Sequence, residues 1–484
     1  MILKELLHAV PVIQVEGSLE VEITSVCFDS RKVDAGSLFV AVRGVHTDGH
    51  LFVDKVAVAG AAALVVEELP ADMLDTVTYL LVNDSAYVLG LIAGNFYGNP
   101  SKDLKLVGVT GTNGKTTVAT LLFNLFDHLG YQVGLLSTVE NRISDRVVTA
   151  THTTPDPVAL NQLLREMVDE GCDYCFMEVS SHAVVQQRIA GLRFAGGIFT
   201  NITHDHLDFH KTFSNYIKAK KSFFDELDRY AFALTNIDDK NGAVMLQNTF
   251  SHRKTYGLQS MADFKAKVVE SHFDGMLLQI DGHEVWVKLV GGFNAYNILA
   301  VYGAAILLEQ ETLKVLTALS EITGAEGRFE TVRSAKGIVG VVDYAHTPNA
   351  VENVLETIQQ LRTGGQQIIT VLGCGGDRDR TKRPEMAKVA LKYSDKLIIT
   401  SDNPRTEDPL AIIKEMEAGI PADKKKNTFS ISDRREAIRA ACHLASPGDI
   451  VLIAGKGHEK YQEINGVRHH FDDREELENT FNEQ

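Results

Sequence analysis

The chain has 484 residues, too many for one ordinary hydrophobic core, so two to four domains are expected. Its 44% hydrophobic and 23% charged content is that of a water-soluble globular protein, and 48 basic against 64 acidic residues leave a net charge of −16. That balance argues against non-specific binding to nucleic acid or anionic membrane, although local loops can still bind phosphorylated ligands. No stretch reaches 18 apolar residues, and the opening MILKELLHAV is charged and lacks a signal-peptide core. No membrane insertion and a cytoplasmic location are therefore expected. Cysteines are few and odd in number (Cys27, Cys172, Cys175, Cys374, Cys442), which suits a reducing compartment. The lone C-x-x-C of Cys172 and Cys175 reads as two small buried residues entering a strand.

The expected fold class is α/β in three domains. Residues 1–99 alternate short strands (VEITSVCFDSR, GSLFVAVRG, AAALVVEE, YLLVN) with helices near Leu51–Gly60 and Ala86–Tyr97, and end at the linker Gly98-Asn99-Pro100. Residues 100–330 carry YQVGLLST, YCFMEVSS, GGIFTNI and YAFALTNID between helical patterns, the signature of a mostly parallel sheet covered by helices. Residues 331–484 begin with GIVGVVDYAH, QQIITVLGCGG, KLIITSDNPR and DIVLIAGKGH. Four helices, Val351–Leu361, Pro384–Tyr393, Leu410–Ala418 and Arg434–Ala445, separate or flank these strands. Each strand runs into a polar or Gly-rich loop, and in a doubly wound sheet such loops form the ligand edge. No internal repeat or low-complexity tract is present.

The strongest motif is GVTGTNGKTT, Gly108–Thr117. Strand-like residues lead into a Gly-rich turn, Lys115 and Thr116 follow, and an apolar-periodic helix runs from Val118 to Leu129. Backbone N–H groups and the helix dipole then favour phosphate oxygens, Lys115 reaches the terminal phosphates, and the Thr116 hydroxyl can sit on Mg²⁺. The usual pattern has glycine at the position of Val109, so this is a variant phosphate loop.

Glu178, ending the strand YCFMEVSS, stands where an acidic residue helps hold Mg²⁺. Ser180, Ser181 and His182 follow it, but the G-x-S-x-G elbow of a hydrolase is absent. The run THDHLDFH, Thr203–His210, could serve zinc or, through one histidine, a nucleotide's Mg²⁺. Lys218, Lys220 and Lys221 cluster on a helix, where a solvated face is the ordinary reading. In the third unit Arg378, Arg380, Lys382, Arg383 and Arg405 offer carboxylate recognition. Asp402 and Glu459 could hold an ammonium, so the loops suit a zwitterionic amino acid.

These motifs together resemble the Mur ligase family of ATP-dependent amino-acid-adding enzymes in peptidoglycan precursor synthesis. The resemblance spans nearly the whole chain: DSR (29–31), the variant loop, MEVSSHA (177–183), TNITHDHLDFH (200–210), YIKAK (216–220), GGFNAYN (291–297), GRFE (327–330), DYAHTP (343–348), GGDRDRTKRP (375–384), DNPR (402–405) and AGKGHE (454–459). It implies a UDP-MurNAc-binding domain, a central ATP-binding domain and a C-terminal, Rossmann-like amino-acid-binding domain. The implied reaction adds meso-2,6-diaminopimelate to the D-glutamate of UDP-MurNAc-L-Ala-D-Glu through an acyl phosphate. The alternatives are the same reaction with L-lysine and a folylpolyglutamate synthase-like ligase, against which residues 1–99 argue.

By the resemblance, Gly111, Thr112, Asn113, Gly114, Lys115, Thr116 and Thr117 bind ATP, with Asn294, Asn297, Arg328, Asp343 and His346 clasping the nucleotide. Thr116, Glu178, His206 and Lys220 are the implied Mg²⁺ ligands, Lys220 as a CO₂-derived carbamate (N6-carboxylysine), with a one-residue ambiguity against Lys221. Lys115, Glu178, His206 and Lys220 are the implied catalytic group. Phe28, Ser30, Val45, His46 and Thr47 resemble UDP-sugar contacts, and Thr153, Thr154, Ser180, Gln186 and Arg188 peptidyl-sugar contacts. Arg378, Asp402, Asn403, Pro404, Arg405, Gly455 and Glu459 resemble the diaminopimelate site. A buried Arg405 left unpaired by L-lysine would give about 10³-fold discrimination. Partners are expected to be small molecules only, the enzyme a monomer, and the third domain is expected to close over the second.

Overall fold

The structure is a computed structural model describing residues 1–44, 47–150 and 152–483. Three sheets follow one another along the chain. The first has the order Val12–Glu16, Thr78–Val82, Ala63–Val66, Ser37–Val40, Ser25–Cys27, with only the Val12–Glu16 strand antiparallel. Its helix Ser85–Phe96 packs on Pro157–Asp169 of the second unit and also meets the turn at Ala190, whose carbonyl would lie 2.6 Å from a Cβ on Gly90.

The second sheet has eleven strands. Its centre is parallel, and Lys105–Thr110 lies between Tyr174–Glu178 and Gly196–Phe199. Residues 106–110 are wholly buried, as expected of a strand covered by helices on both faces. Both ends turn antiparallel, through Asn141–Val148 on one side and the ribbon Phe264–Val287 on the other. These hairpins are short or locally alternating, so they carry less sequence signal than the central strands.

The third sheet orders Glu330–Arg333, Val339–Asp343, Ile450–Ala454, Ile368–Cys374, Lys396–Ser401 and Thr428–Ser430; all but the first are parallel. The carboxyl ends of the four central strands therefore lie at one edge, bringing DYAH, GCGG, DNPR and AGKGH together. Three of the four expected helices here start earlier than periodicity suggests, and the fourth starts at Arg434 as expected. Pro348–Leu361 gains a turn because Thr347 caps it, its hydroxyl accepting from Ala350 N, with proline at the first position.

All five cysteines are free and buried, as the small-residue reading of the C-x-x-C requires. No helix among the described residues is long and apolar enough to cross a membrane.

Beneath the third sheet's ligand edge lies a fully buried ion pair. Arg434 donates to both Asp473 oxygens at 2.7 Å and also to the carbonyls of Ala454 (3.1 Å) and Ser401 (3.5 Å). It ties the C-terminal helix Asp473–Glu483 to two strand ends that carry site loops. Breaking one partner strands a buried charge, so Asp473→Asn should destabilise the third domain by about 3–5 kcal/mol. A urea melt followed by tryptophan-independent far-UV circular dichroism measures it; an unchanged midpoint would refute the role.

Candidate active site

The phosphate loop is held from below. Thr200 Oγ1 donates to Asn113 O at 2.6 Å, Asn201 Nδ2 donates to the same carbonyl at 3.0 Å, and Asn201 Oδ1 accepts from Asn113 N at 3.0 Å. Gly111 sits so close that a Cβ would fall 1.8 Å from Thr200 Oγ1, and its φ is +154°. Gly114, at φ +86°, caps the helix Lys115–His128 and lies against Asn297 Oδ1, 2.6 Å from where a Cβ would be. Val109 is a buried central-strand residue, paired with Glu178 and Ile198; this strand continues where the commoner loop has its first glycine.

Around this loop the expected catalytic residues converge. Thr116 Oγ1 donates to Glu178 Oε1 at 2.9 Å, and Thr138 N donates to the same oxygen at 2.7 Å. Glu178 Oε2 is buried without a hydrogen-bond partner, as is Thr203 Oγ1. A buried carboxylate oxygen left unsatisfied is costly unless something positive reaches it, and beside a phosphate loop its chemistry fits Mg²⁺. Lys115 Nζ folds back onto the carbonyls of Gly111 (3.0 Å) and Thr112 (2.9 Å). Lys220 is 1% exposed; its Nζ donates to Gly111 O at 2.7 Å and lies 4.8 Å from the Tyr216 ring centroid. Burial, reinforced by Lys115, holds the Lys220 amine well below the ordinary lysine range. Lys221 instead pairs with Asp225 at 2.6 Å, so the buried member of the pair is Lys220.

His206 has a left-handed backbone (φ +55°) and places its ring 4.9 Å from that of His182 and 3.5 Å from the Asp205 carboxylate. His210 also borders His182, with ring centroids 5.7 Å apart, and its Nε2 lies 2.9 Å from Ser181 Oγ. Among the described residues no three His, Cys, Asp or Glu side chains form a metal cluster, so the zinc reading of THDHLDFH gains nothing here.

Arg328 arrives from the linker into the third domain. Its Nη2 donates to Thr116 Oγ1 at 3.3 Å and its guanidinium stacks 4.5 Å above the Tyr344 ring. Asp343 accepts from Phe329 N at 2.7 Å, and burial pushes its carboxyl up to about 6. His346 Nδ1 lies 2.9 Å from Tyr344 O. Asn113 Nδ2 meets Asn349 Oδ1 at 3.3 Å, so the third domain touches the loop directly. Asn294 and Asn297 are buried and tied to each other, Asn297 Nδ2 donating to Asn294 Oδ1 at 2.9 Å and Asn294 Nδ2 to Val290 O at 2.8 Å. Asn294 and Arg328 also line a cavity of about 450 Å³ with Phe273, Leu289, Thr323 and Arg474, most of which motif reasoning did not reach. A larger cavity, about 600 Å³, lies at the opposite edge of the central sheet, away from this chemistry.

The peptidyl-sugar candidates adjoin Glu178. Thr154 Oγ1 donates to Glu178 O at 2.8 Å and accepts from Ser180 N at 3.2 Å, while Arg188 donates to Thr154 O (2.7 Å) and Gln186 Oε1 (3.0 Å). Thr153 Oγ1 accepts from Thr138 Oγ1 at 3.1 Å. In the first domain Phe28 is exposed, Ser30 begins a short helical turn capped by Asp29, and Thr47 O accepts from Gly44 N. Val45 and His46 lie outside the described residues. Among the described residues no hydrogen bond or ring contact joins Phe28, Ser30 or Thr47 to the rest of the site.

At the third sheet's edge the geometry corrects one expectation. Arg405 is half-buried, not buried, and already donates to Gly376 O at 2.7 Å. Water can therefore serve part of it when no carboxylate is present, so discrimination nearer tenfold to hundredfold is expected (about 1.4–3 kcal/mol). Arg378 is exposed; it and Arg405 flank Gly375, where a Cβ would lie 3.8 Å from Arg378 Cγ and 3.0 Å from Arg405 Nη1. Pro404 O crowds Gly376 in the same turn. Arg380 and Arg383 are spent on Glu407 and Glu415, Arg383 with its side chain fully buried, and so act as staples. Lys456, which motif reasoning passed over, lies between Asp402 and Glu459, 4.0 Å from Asp402 Oδ1 and 3.4 Å from Glu459 Oε2.

Fold and site thus define a phosphate-loop enzyme with a separate charged pocket at the edge of a second parallel sheet. Comparison with known proteins names the class. Three family models match in order: the Mur ligase family catalytic domain over residues 22–97, the Mur ligase middle domain over 109–305 and the Mur ligase glutamate ligase domain over 327–457. The chain belongs to the Mur ligase family. It is 57% identical over 482 residues to the UDP-N-acetylmuramoyl-L-alanyl-D-glutamate–2,6-diaminopimelate ligase of Bacteroides thetaiotaomicron, covering 100% of both chains. It is 42% identical to the enzyme of that name from Clostridioides difficile, covering 98% of each. A solved structure of a ligase with that name superposes with a TM-score of 0.71 at 32% identity, over 100% of this chain and 99% of the other. A folylpolyglutamate synthase from Mycobacterium tuberculosis shares the fold, with a TM-score of 0.61 at 16% identity over 75% of this chain and 91% of that one.

The crowding at Gly111 gives a direct test. Gly111→Ala should destabilise the protein by roughly 2 kcal/mol or more, since Thr200 or the loop must move. Gly292→Ala, where a Cβ meets nothing within 4 Å, should stay within about 1 kcal/mol of the parent. Paired thermal melts measure both, and equal melting points would contradict the clamp.

Proposed function

We propose that this chain is an ATP-dependent ligase that joins meso-2,6-diaminopimelate to the D-glutamate of UDP-MurNAc-L-Ala-D-Glu. The observation that carries the reading is the convergence of Lys115, Thr116, Glu178, Lys220 and Arg328 on the clamped loop, connected through Tyr344 to the pocket of Arg405 and Glu459. The printed names of full-length relatives support the same substrate pair. In this reading residues 1–99 bind the UDP-sugar, residues 100–330 bind ATP, and residues 331–484 bind the incoming amino acid. The cavity beside Asn294 and Arg328 suits the nucleoside end of ATP.

The residues divide the work as follows. The loop amides and Lys115 would hold the terminal phosphates, and Lys115 would leave its carbonyl partners to do so. Thr154, Ser180 and Arg188 would orient the peptidyl-sugar so that its D-glutamyl carboxylate oxygen faces the γ-phosphorus. That oxygen attacks, the bond to ADP breaks, and an acyl phosphate forms. Lys115 and Arg328, the latter braced on Tyr344, would offset the charge that spreads over the transferring group. The acceptor amine then attacks the acyl carbon and loses a proton, and the tetrahedral species expels phosphate. Asn349 on Asn113 supports a third domain that closes on the loop and excludes water from the acyl phosphate.

Thr116 and Glu178 would hold Mg²⁺, with His206 and a carbamylated Lys220 holding a second ion; these ions supply charge neutralisation on the phosphates. Lys220 supports that role because it is buried with no ion pair to a carboxylate among the described residues, and a neutral amine is the form that adds to CO₂. The neutral amine nitrogen would form the N–C bond to CO₂ and release one proton, turning a buried amine into an anionic oxygen donor.

Two measurements test the reading. Release of ADP and phosphate should require both UDP-MurNAc-L-Ala-D-Glu and meso-diaminopimelate, with kcat/KM for L-lysine lower by about ten- to a hundredfold; equal turnover with L-lysine would remove Arg405 as the selector. Lys220→Ala should lose nearly all activity and recover part of it with added formate, whereas wild-type activity in that variant would sink the carbamate.

A further inference from the structure

The acceptor pocket contains a cation of its own. Lys456 has no exposed surface. Its Nζ donates to Asn403 Oδ1 at 3.2 Å and to Glu459 Oε2 at 3.4 Å, lies 4.0 Å from Asp402 Oδ1, and stands 5.5 Å from the Tyr461 ring centroid. Asn403 Oδ1 also accepts from Glu463 N at 2.9 Å, and Asn403 Nδ2 donates to Glu459 Oε2 at 2.6 Å. Two donors therefore converge on Oδ1, which fixes the amide orientation: flipped, the NH₂ would face both an ammonium and an N–H. Gly455 leaves the necessary room, since a Cβ there would fall 2.5 Å from Asp402 Oδ2.

We propose that Lys456 is a positioning residue for the acceptor amino acid. It neutralises one of two buried carboxylates and orients Asn403, so that Glu459 keeps one oxygen directed at the acceptor's distal ammonium while Arg405 takes the adjoining carboxylate. The proposal rests on the acceptor assignment above. Without Lys456, Asp402 and Glu459 would share a buried site with Arg434 committed to Asp473, Arg405 turned toward Gly376, and the Asn403 amide and the phenols of Tyr344 and Tyr461 near Glu459. Two carboxylates so placed retain a proton. Burial and Asp402 already push Glu459 up, and loss of the lysine would push it further, removing the charge that an ammonium needs.

The test is Lys456→Met in the full-length enzyme, which keeps the side chain's length and removes its charge. KM for meso-diaminopimelate should rise by roughly ten- to a hundredfold, while KM for ATP and for the UDP-sugar peptide stay within about twofold. The ratio of variant to wild-type KM should shrink as pH rises and Glu459 ionises. Acyl phosphate formation does not need the acceptor, so positional isotope exchange in labelled ATP, run with the UDP-sugar peptide alone, should continue at the wild-type rate. An unchanged acceptor KM, or loss of that exchange together with all three affinities, overturns the proposal. A wild-type enzyme that turns over without meso-diaminopimelate overturns the acceptor assignment and this proposal with it.

Discussion

Much of the site depends on one backbone carbonyl. Asn113 O accepts from Thr200 and Asn201, and those two bonds pin the apex of the phosphate loop to the strand end beside it. Because the contact is so tight that Gly111 has no space for a Cβ, the loop cannot relax into an ordinary turn. Two of its N–H groups are held by the same neighbour, Thr112 N donating to Asn201 O at 2.8 Å and Asn113 N to Asn201 Oδ1 at 3.0 Å, even though the energetic preference of an isolated Gly-rich segment is disorder. The residues after the apex inherit that rigidity: Gly114 sets the helix entry, the helix sets Thr116, and Thr116 meets Glu178.

A second theme is the management of buried charge. The protein places Lys220, Lys456, Arg434 and Glu178 where water is nearly absent. Arg434 is fully satisfied by Asp473 and two carbonyls and serves as foundation. Glu178 keeps an unsatisfied oxygen, and Lys220 donates to the Gly111 carbonyl and the Thr110 hydroxyl with no ion pair among the described residues, which is how a ligand-binding site differs from a structural pair. Between the two stands Lys456, paired within the protein yet bordering the pocket.

The two chemical centres communicate through packing. Arg328 touches Thr116, stacks on Tyr344, and the Tyr344 hydroxyl donates to Glu459 at 3.4 Å. Gly327, at φ +66°, presses on the backbone of Gly457 and His458, where a Cβ would lie 2.1 Å from His458 N. The linker is thus wedged against the loop that carries Lys456 and Glu459. A shift of the linker that moved Arg328 would also press on the loop that carries Lys456 and Glu459.

How much could be read in advance depended on whether a residue's role is local. Val109 signalled a variant loop, the alternating strand and helix runs announced three α/β units, and DNPR with AGKGHE marked loops that meet at one sheet edge, because turns, caps and strand runs depend on neighbouring residues. The sequence by itself determined the α/β class, the phosphate loop and the family. Tertiary structure alone decided that Lys220 rather than Lys221 is buried, that Arg380 and Arg383 are staples, and that Arg405 is half-open. It also decided that Lys456 occupies the pocket. A lysine between two glycines looks the same in a solvated loop and in a buried one. Which it is depends on Asp402 and Asn403, more than fifty residues earlier in the chain, reaching the same point in space.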